Sequence, residues 1–102
     1  MVIKEIIDDK IHYMDLLLLA DEQEDMIRRY LEKGIMYVLD DNGVKAECVV
    51  TDEGNRILEI KNIAVKPEYQ GYGYGKALID FLIRRYTGKY SVMQVGTGDS
   101  AL

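Results

Sequence analysis

The feature that most constrains this chain is a strand, a proline turn and a glycine-rich loop that lead directly into a helix. The segment from Ile57 to Lys76 reads I-L-E-I-K-N-I-A-V-K-P-E-Y-Q-G-Y-G-Y-G-K. Gly71, Gly73 and Gly75 allow the backbone to approach a ligand and to adopt dihedral angles that a side chain would forbid. The free amides of a helix's first turn, with the helix dipole behind them, favour an anion at the same point. This order of elements therefore predicts a cradle for a phosphate or a diphosphate.

Three phosphate-binding patterns can be compared with this loop. The P-loop, G-x-x-x-x-G-K-[ST], does not fit, because Gln70 replaces its first glycine and Ala77 replaces the hydroxyl that holds magnesium. The dinucleotide fingerprint, G-x-G-x-x-G, does not fit either, because Lys76 occupies its third glycine position. The pattern [RQ]-x-x-G-x-[GA] matches Q-G-Y-G-Y-G in full. A merely flexible Gly/Tyr turn is the alternative, and the strand-turn-loop-helix context argues against it.

Together with the preceding N-I-A-V-K-P-E-Y, this loop resembles the coenzyme A loop of the GNAT superfamily of N-acetyltransferases. The resemblance implies that the loop holds the diphosphate of acetyl-CoA. The residues of this implied site are Gln70, Gly71, Tyr72, Gly73, Tyr74, Gly75 and Lys76. It also implies that the backbone of Ile63, Ala64 and Val65 pairs with the pantetheine arm, and that the thioester lies in a gap between the fourth and fifth strands.

Acetyl transfer to an amine needs a donor for the oxyanion and an acceptor for the amine's proton. A backbone amide near Ile63 or Ala64 is the candidate donor. Glu59 is the candidate general base, acting through water, and this role requires a pKa raised toward neutrality. The alternative for Glu59 is a strand carboxylate that pairs with Lys61 or Arg56 or faces solvent. No residue is assigned as the general acid, because the helix that carries a tyrosine in many family members is missing from this sequence.

Composition narrows the class of protein. The chain has 102 residues, 48% of them hydrophobic and 30% charged, and is predicted to form one globular domain over residues 1–102. Residues 1–55 carry six Lys/Arg and fourteen Asp/Glu, a charge of −8, whereas residues 56–102 carry seven and four, a charge of +3. The acidic half argues against nucleic acid as a partner and favours a cationic amine as substrate.

The low content of cysteine and histidine bears on the cellular location and on metal binding. A single Cys48, the lack of a signal-peptide pattern and the lack of a long apolar run favour a cytoplasmic protein with no disulfide framework and no membrane association. One histidine and one cysteine cannot by themselves form a structural zinc site, so no metal is predicted.

Hydrophobic periodicity predicts the order β-α-α-β-β-β-α-β, which gives an α/β or α+β domain with a mixed sheet. A hairpin turn is predicted at Asp41-Asn42-Gly43, a capping box from Asp21 to Glu24, and a helix end at Gly34. A bulge is expected near Asn62-Ile63-Ala64. The predicted strands are Val2–Ile7, Ile35–Leu39, Val44–Thr51, Arg56–Val65 and Tyr90–Val95, and the predicted helices are Lys10–Ala20, a second one ending near Lys33, and one carrying Leu78 to Tyr86.

The final residues, G-T-G-D-S-A-L, look like a strand-to-helix turn without a helix behind it. Thr97, Asp99 and Ser100 are expected in cap or turn roles, or in contact with cofactor or substrate. The sequence therefore predicts a GNAT-like domain cut after the fifth strand. Two functions remain open: an N-acetyltransferase, or a catalytically incompetent acyl-CoA-binding fragment that self-associates through the open edge of its fifth strand.

Overall fold

A computed structural model describes residues 1–96 of the chain, and Thr97, Asp99 and Ser100 lie outside that range. It confirms the predicted mixed α/β class and the order of the elements. The strands are β1 (Val2–Ile6), β2 (Ile35–Asp40), β3 (Val44–Asp52), β4 (Ile57–Val65) and β5 (Val92–Val95). The helices are α1 (Met14–Leu17), α2 (Glu24–Lys33) and α3 (Tyr74–Tyr86), with 3-10 turns at Lys10–Tyr13 and Pro67–Tyr69.

The five strands form one sheet in chain order, β1-β2-β3-β4-β5. The first four are antiparallel to their neighbours, and β5 runs parallel to β4 after the crossover through α3. The β2–β3 hairpin turns where the sequence predicts it, with positive φ angles of 57° at Asn42 and 108° at Gly43. The Asp40 carboxylate accepts a hydrogen bond from the Gly43 amide at 3.0 Å, which fastens that turn.

Helices cover both faces of the sheet, so the core has two layers. On one face, α3 packs on the strands through Leu78, Leu82 and Tyr86, which lie against Leu39, Cys48, Val50, Leu58 and Ile60. On the other face, α1 and α2 pack through Leu17, Ile27 and Leu31, which lie against Met36, Val38 and Val49. Strand residues alternate between the two layers, as the period of a β-strand requires.

A β-bulge interrupts β4 at Lys61, one residue before the predicted position. Val49 pairs with Asn62 and Val50 with Ile60, so Lys61 is the extra residue. The extra residue reverses the alternation, because a one-residue shift moves every later side chain to the other face. Asn62 therefore faces α1 rather than sharing a face with Ile60, and Ile63 packs against the α3 layer rather than beside Glu59.

The first predicted helix is much shorter than its hydrophobic spacing indicates. Instead of a helix over Lys10–Ala20, a 3-10 turn leads into the single turn of α1. The predicted capping box is also wrong, since Asp21 accepts a hydrogen bond from the Gln23 amide and Gln23 itself precedes α2. Hydrophobic periodicity could not predict the shorter helix, because the same apolar positions face the core from a 3-10 turn followed by an α-turn and from a longer α-helix.

Gly34 follows α2 as predicted, but for a different reason. Its φ of −79° is not left-handed, so no special backbone angle demands glycine there. A Cβ at this position would lie 2.8 Å from the Tyr30 carbonyl oxygen and 2.8 Å from Val49 Cγ1. Glycine is therefore required because the end of α2 passes very close to β3.

In the described part of the chain, β5 covers only the first half of β4. This strand is two residues shorter than predicted and pairs only with Ile57–Ile60 of β4. A last hydrogen bond, from the Gly96 amide to the Ile60 carbonyl at 2.8 Å, closes that pairing. Within residues 1–96, no strand pairs with Lys61–Val65 on this side, so the second half of β4 has an open edge. No helix in the described part of the chain is long and apolar enough to cross a membrane.

Candidate active site

The glycine-rich loop presents a row of unengaged backbone amides. The amides of Tyr69 and Gln70 before it, and that of Ala77 after it, bond to backbone carbonyls. Between them, the six successive amides of residues 71–76 bond to no acceptor within residues 1–96. Gly71 and Gly73 have φ angles of 87° and 85°, and an ideal Cβ on either would meet no atom within 4 Å. The loop is thus an open concave donor surface at the start of α3, where an anion is favoured.

Contacts to the neighbouring hairpin and strand hold this loop in place. The Tyr74 hydroxyl donates to the Asp41 carboxylate at 2.6 Å, and that bond raises the pKa of Tyr74. The Gln70 side-chain amide donates to the Val65 carbonyl at 3.3 Å, which ties the loop to the end of β4. The Lys45 ammonium lies 4.1 Å from the centre of the Tyr69 ring. These contacts fix the backbone without using its amides.

The other loop residues have separate environments. Tyr72 is 70% exposed, and its ring stacks beside that of Tyr74 with centroids 6.1 Å apart. Gly75 brings α3 near β4, since a Cβ there would lie 3.7 Å from Val65 Cγ2. Lys76 is ion-paired with Asp80 at 2.8 Å, and its side chain is largely exposed. An anion in the loop would therefore compete with Asp80 for the Lys76 ammonium.

The open half of β4 runs directly into this loop. It contains Ile63, Ala64 and Val65, whose outer edge β5 leaves uncovered. An extended ligand chain could add to this edge as a further strand, through main-chain hydrogen bonds. The Lys66 amide bonds to Lys45 of β3, and hydrogen-bonding sides alternate along an antiparallel strand, so the backbone groups of Ile63 and Val65 face the open edge. The Val65 carbonyl is already bonded to Gln70, which leaves the groups of Ile63 as the ones most available.

Glu59 lies in the closed half of β4 and has both carboxylate oxygens engaged. Gln94 of β5 donates to Oε1 at 2.6 Å, and the Lys61 ammonium lies 2.6 Å from Oε2. Burial alone would raise the pKa of this carboxyl, but hydrogen bonds from Lys61 and Gln94 outweigh it and hold the pKa below its usual value. Gly96 packs so closely that a Cβ there would lie 2.6 Å from Oε2. Six residues separate Glu59 from Val65, about 20 Å along a strand, so the fold does not bring Glu59 beside the loop.

Sequence reasoning missed a second carboxyl group on the same face of the sheet. Glu47 of β3 is fully buried, and within the described part of the chain neither of its side-chain oxygens has a hydrogen-bond partner. Its cross-strand neighbour on β4 is Ala64. Burial raises the pKa of Glu47 from 4.5 to about 8. The available signal was a lone charge inside the apolar strand V-K-A-E-C-V-V.

Asn62 and Tyr30 extend this polar cluster. The Asn62 amide group donates to the Leu17 carbonyl and to the Tyr30 hydroxyl, each at 3.0 Å. Its carbonyl oxygen Oδ1 is buried and has no partner among residues 1–96. The Tyr30 hydroxyl donates in turn to Asp21 at 3.2 Å. Burial is the main reason that the pKa of Tyr30 rises to about 12, and the nearby Asp21 and Glu47 charges add to it.

The class of protein that matches this fold is the acetyltransferases, and the chain belongs to the GNAT acetyltransferase family. The family model described as "Acetyltransferase (GNAT) domain" matches residues 32–101. The predicted family is therefore confirmed.

Particular relatives can be named. The chain is 34% identical over 90 residues to the uncharacterized N-acetyltransferase YvbK of Bacillus subtilis, covering 86% of this chain and 58% of that protein. It is similar to the structure of an IAA acetyltransferase from Bacillus cereus, with 37% identity and a TM-score of 0.87 over 98% of this chain and 67% of that one. A GNAT family acetyltransferase from Elizabethkingia anophelis, solved with acetyl-CoA bound, matches with 32% identity, a TM-score of 0.87 and the same coverage.

Proposed function

We propose that this chain is an N-acetyltransferase that moves the acetyl group of acetyl-CoA to a primary amine of a small molecule or a protein. The observation that carries the proposal is the row of six unengaged amides at residues 71–76, directly after the open edge of β4. The acetyl-CoA in the Elizabethkingia relative supports it.

The residues present fit a diphosphate-bearing thioester. In this proposal the loop amides bind the diphosphate, with the Gln70, Tyr72 and Tyr74 side chains around them. Lys76 adds a positive charge once it leaves Asp80. The bound cofactor supplies the activated acetyl group, and the backbone of Ile63, Ala64 and Val65 aligns its extended arm. An amide of Ile63 or Ala64 then stabilises the negative charge that develops on the carbonyl oxygen.

In this proposal, Glu59 is a candidate for the group that accepts the proton of the amine. Its lowered pKa keeps it ionised at neutral pH, so it is able to accept a proton. Its contacts with Lys61 and Gln94 also make it a weak base, because both oxygens are already stabilised as a carboxylate.

The acceptor class and the location follow from charge and composition. The acidic first half of the chain attracts a cationic amine and repels nucleic acid. A lone Cys48, buried and unpaired, fits the reducing environment of the cytoplasm.

A second candidate function is an acyl-CoA-binding module that does not catalyse transfer and self-associates. The observation that favours it is the short edge strand β5, where Val92 and Val95 are 48% and 58% exposed. Such an edge can pair with a second copy of the chain. Acetyl-CoA binding with no turnover, together with a dimer in solution, would support this candidate over the first.

A pair of matched glycine variants tests the cradle. Gly73 and Gly88 lie at opposite ends of α3, have φ angles of 85° and 87°, and have open space beside them. Gly73→Asp and Gly88→Asp therefore cost similar backbone strain, but only the first places a carboxylate where the diphosphate would bind. We expect Gly73→Asp to weaken acetyl-CoA binding by about 100-fold or more in calorimetry, because like charges repel at close range. Equal affinities for the two variants would contradict the proposal.

A further inference from the structure

We propose that Glu47 accepts the proton of the attacking amine, through one water molecule that sits over the methyl group of Ala64 and is shared with Asn62. The inference rests on the proposed acetyl transfer and assigns a residue to its proton-transfer step. It differs from the assignment of Glu59, which sequence reasoning favours.

The first observation is that Glu47 and Asn62 are both buried and both unsatisfied. Glu47 is 0% exposed and Asn62 3%, yet three of their oxygens, Glu47 Oε1 and Oε2 and Asn62 Oδ1, have no donor among residues 1–96. Buried polar atoms without partners are costly, and in native proteins they commonly mark a bound water or a functional role.

The second observation is their position around Ala64. Glu47 lies directly opposite Ala64 on the neighbouring strand, and Asn62 lies two residues before it on the same face. Opposite residues of antiparallel strands have Cβ atoms about 5 Å apart. Among residues 1–96, no strand pairs with β4 beside Ala64 at its open edge, where the extended ligand chain is proposed to lie. The small methyl group of Ala64 thus separates Glu47 from the proposed reaction centre.

The chemistry of these oxygens suits a water molecule that relays a proton. When Glu47 is ionised, its oxygens and Asn62 Oδ1 are all acceptors, so a water between them donates its two hydrogens to Glu47 and to Asn62 Oδ1. Its lone pair then faces the open edge and can accept an N–H of the amine. A carboxylate that touched the amine directly would need to leave its buried position, whereas a single water spans the gap.

The electrostatic surroundings of Glu47 favour a base that works near neutral pH. Its strand neighbours Val38 and Ala64 are apolar, and burial is the cause of its raised pKa of about 8. Two titratable groups respond to its charge: Tyr30 of α2, which hydrogen-bonds Asp21 of the preceding loop, and Cys48 of β3. Both have raised pKa values and stay neutral at pH 8.

The step balances with the groups named. The amine nitrogen forms a bond to the thioester carbonyl carbon, and its proton passes to the water while a water proton passes to Glu47. The carbon–sulfur bond breaks, its electron pair leaves with sulfur as a thiolate, and Glu47 ends as a neutral carboxylic acid. Glu47 later returns its proton to solvent or to the thiolate.

The test compares Glu47→Gln with Glu59→Gln, and it uses acetyl-CoA and a weakly basic arylamine that stays neutral across the pH range. In the wild type, kcat/KM should rise with pH and level off, with a midpoint near 8. Glu47→Gln should lower kcat/KM by about 10²- to 10³-fold and abolish this rise. Glu59→Gln should keep the midpoint near 8, whatever it does to the rate. Glu32→Gln, exposed on α2, serves as the neutral control.

Two further measurements cover a variant that does not fold. Carbon-13 NMR of the wild type should show one glutamate carboxyl that titrates near pH 8, and Ala64→Val should lower kcat/KM by filling the space of the water. A wild type that acetylates no amine would overturn the proposed function and this inference together. An active wild type whose pH profile survives in Glu47→Gln, or is lost in Glu59→Gln alone, would overturn the assignment of Glu47 only.

Discussion

The closed half of β4 contains a glutamate and the open half lies beside one on β3, and the two carboxyl groups are in opposite situations. In the closed half, β5 pairs with Ile57–Ile60, and Glu59 finds a donor for each oxygen in Gln94 and Lys61. In the open half, Ala64 faces Glu47, whose oxygens have no donor in residues 1–96. Both carboxyl groups lie on the face that α1 and α2 cover, yet the pKa of Glu59 is lowered and that of Glu47 is raised.

The difference shows that neighbours, rather than residue type, decide what a carboxyl group can do. A carboxylate with two close donors is stabilised in its charged form, and a carboxyl group buried without donors is stabilised in its neutral form. Pairs of groups whose pKa values are pushed apart in this way are a recurring feature of acid–base sites. The bulge at Lys61 marks the boundary, because it ends the pairing pattern that satisfies Glu59 and turns Asn62 toward Glu47.

The largest expected effect is on the pH dependence of stability in the open half. The folded state holds the Glu47 proton more tightly than the unfolded state, because its pKa is about 8 rather than 4.5. The free energy of unfolding should therefore be highest below pH 4.5, the pKa of the unfolded glutamate, and should fall as the pH rises through 8. The expected fall is roughly 3–5 kcal/mol, because each unit of pKa shift corresponds to about 1.4 kcal/mol. Urea unfolding at a series of pH values measures this fall.

Glu47→Gln removes the titrating group and should flatten the profile, so that the variant is more stable than the wild type at pH 8. Glu32→Gln should leave the wild-type profile unchanged. If Glu47→Gln and the wild type lose stability in parallel between pH 4.5 and 8, the raised pKa of Glu47 and the contrast between the two halves are both wrong.

An intermediate effect is expected at the boundary. Asn62→Ala removes the hydrogen bonds to the Leu17 carbonyl and the Tyr30 hydroxyl, which fasten α1 and α2 to β4. The loss of these buried contacts should lower the free energy of unfolding by about 1–3 kcal/mol. Tyr30→Phe keeps the Leu17 bond but loses both bonds of the Tyr30 hydroxyl, to Asn62 and to Asp21, and should cost less. A loss from Tyr30→Phe larger than that from Asn62→Ala would contradict a stabilising role for the Leu17 contact, and chemical denaturation of both variants measures the two losses.

The smallest effect is expected in the closed half. Glu59→Gln should lower the free energy of unfolding by about 1 kcal/mol or less, as for other partly exposed ion pairs. Because the pKa of Glu59 is lowered in the folded state, this contribution is present above its unfolded pKa and is lost as the pH falls. The sign is thus opposite to that of Glu47. Denaturation of the wild type and of Glu59→Gln at neutral and acid pH checks it, and a loss of stability on substitution that is larger at acid pH than at neutral pH would remove the contrast.

Local patterns predicted the parts of the site that depend on local geometry. The spacing of Gly71 and Gly73 predicted an open loop, and both residues have the positive φ angles that glycine permits. The hairpin at Asn42-Gly43 and the order of the elements were also predicted, since turn chemistry and hydrophobic period act over a few neighbouring residues. The roles of the loop in cofactor binding and of Glu59 in proton transfer stay predictions.

Tertiary structure alone decided which charges are satisfied and where backbones nearly touch. Gly34 is needed because Tyr30 and Val49 come from elements that meet only in the folded chain. Likewise, the partners of Glu59 and the isolation of Glu47 depend on strand register, and one extra residue at Lys61 changes which side chains share a face. The sequence by itself determined a glycine loop, its helix and the family. The fold determined the protonation of each carboxyl group, because burial and hydrogen bonding are properties of the assembled sheet.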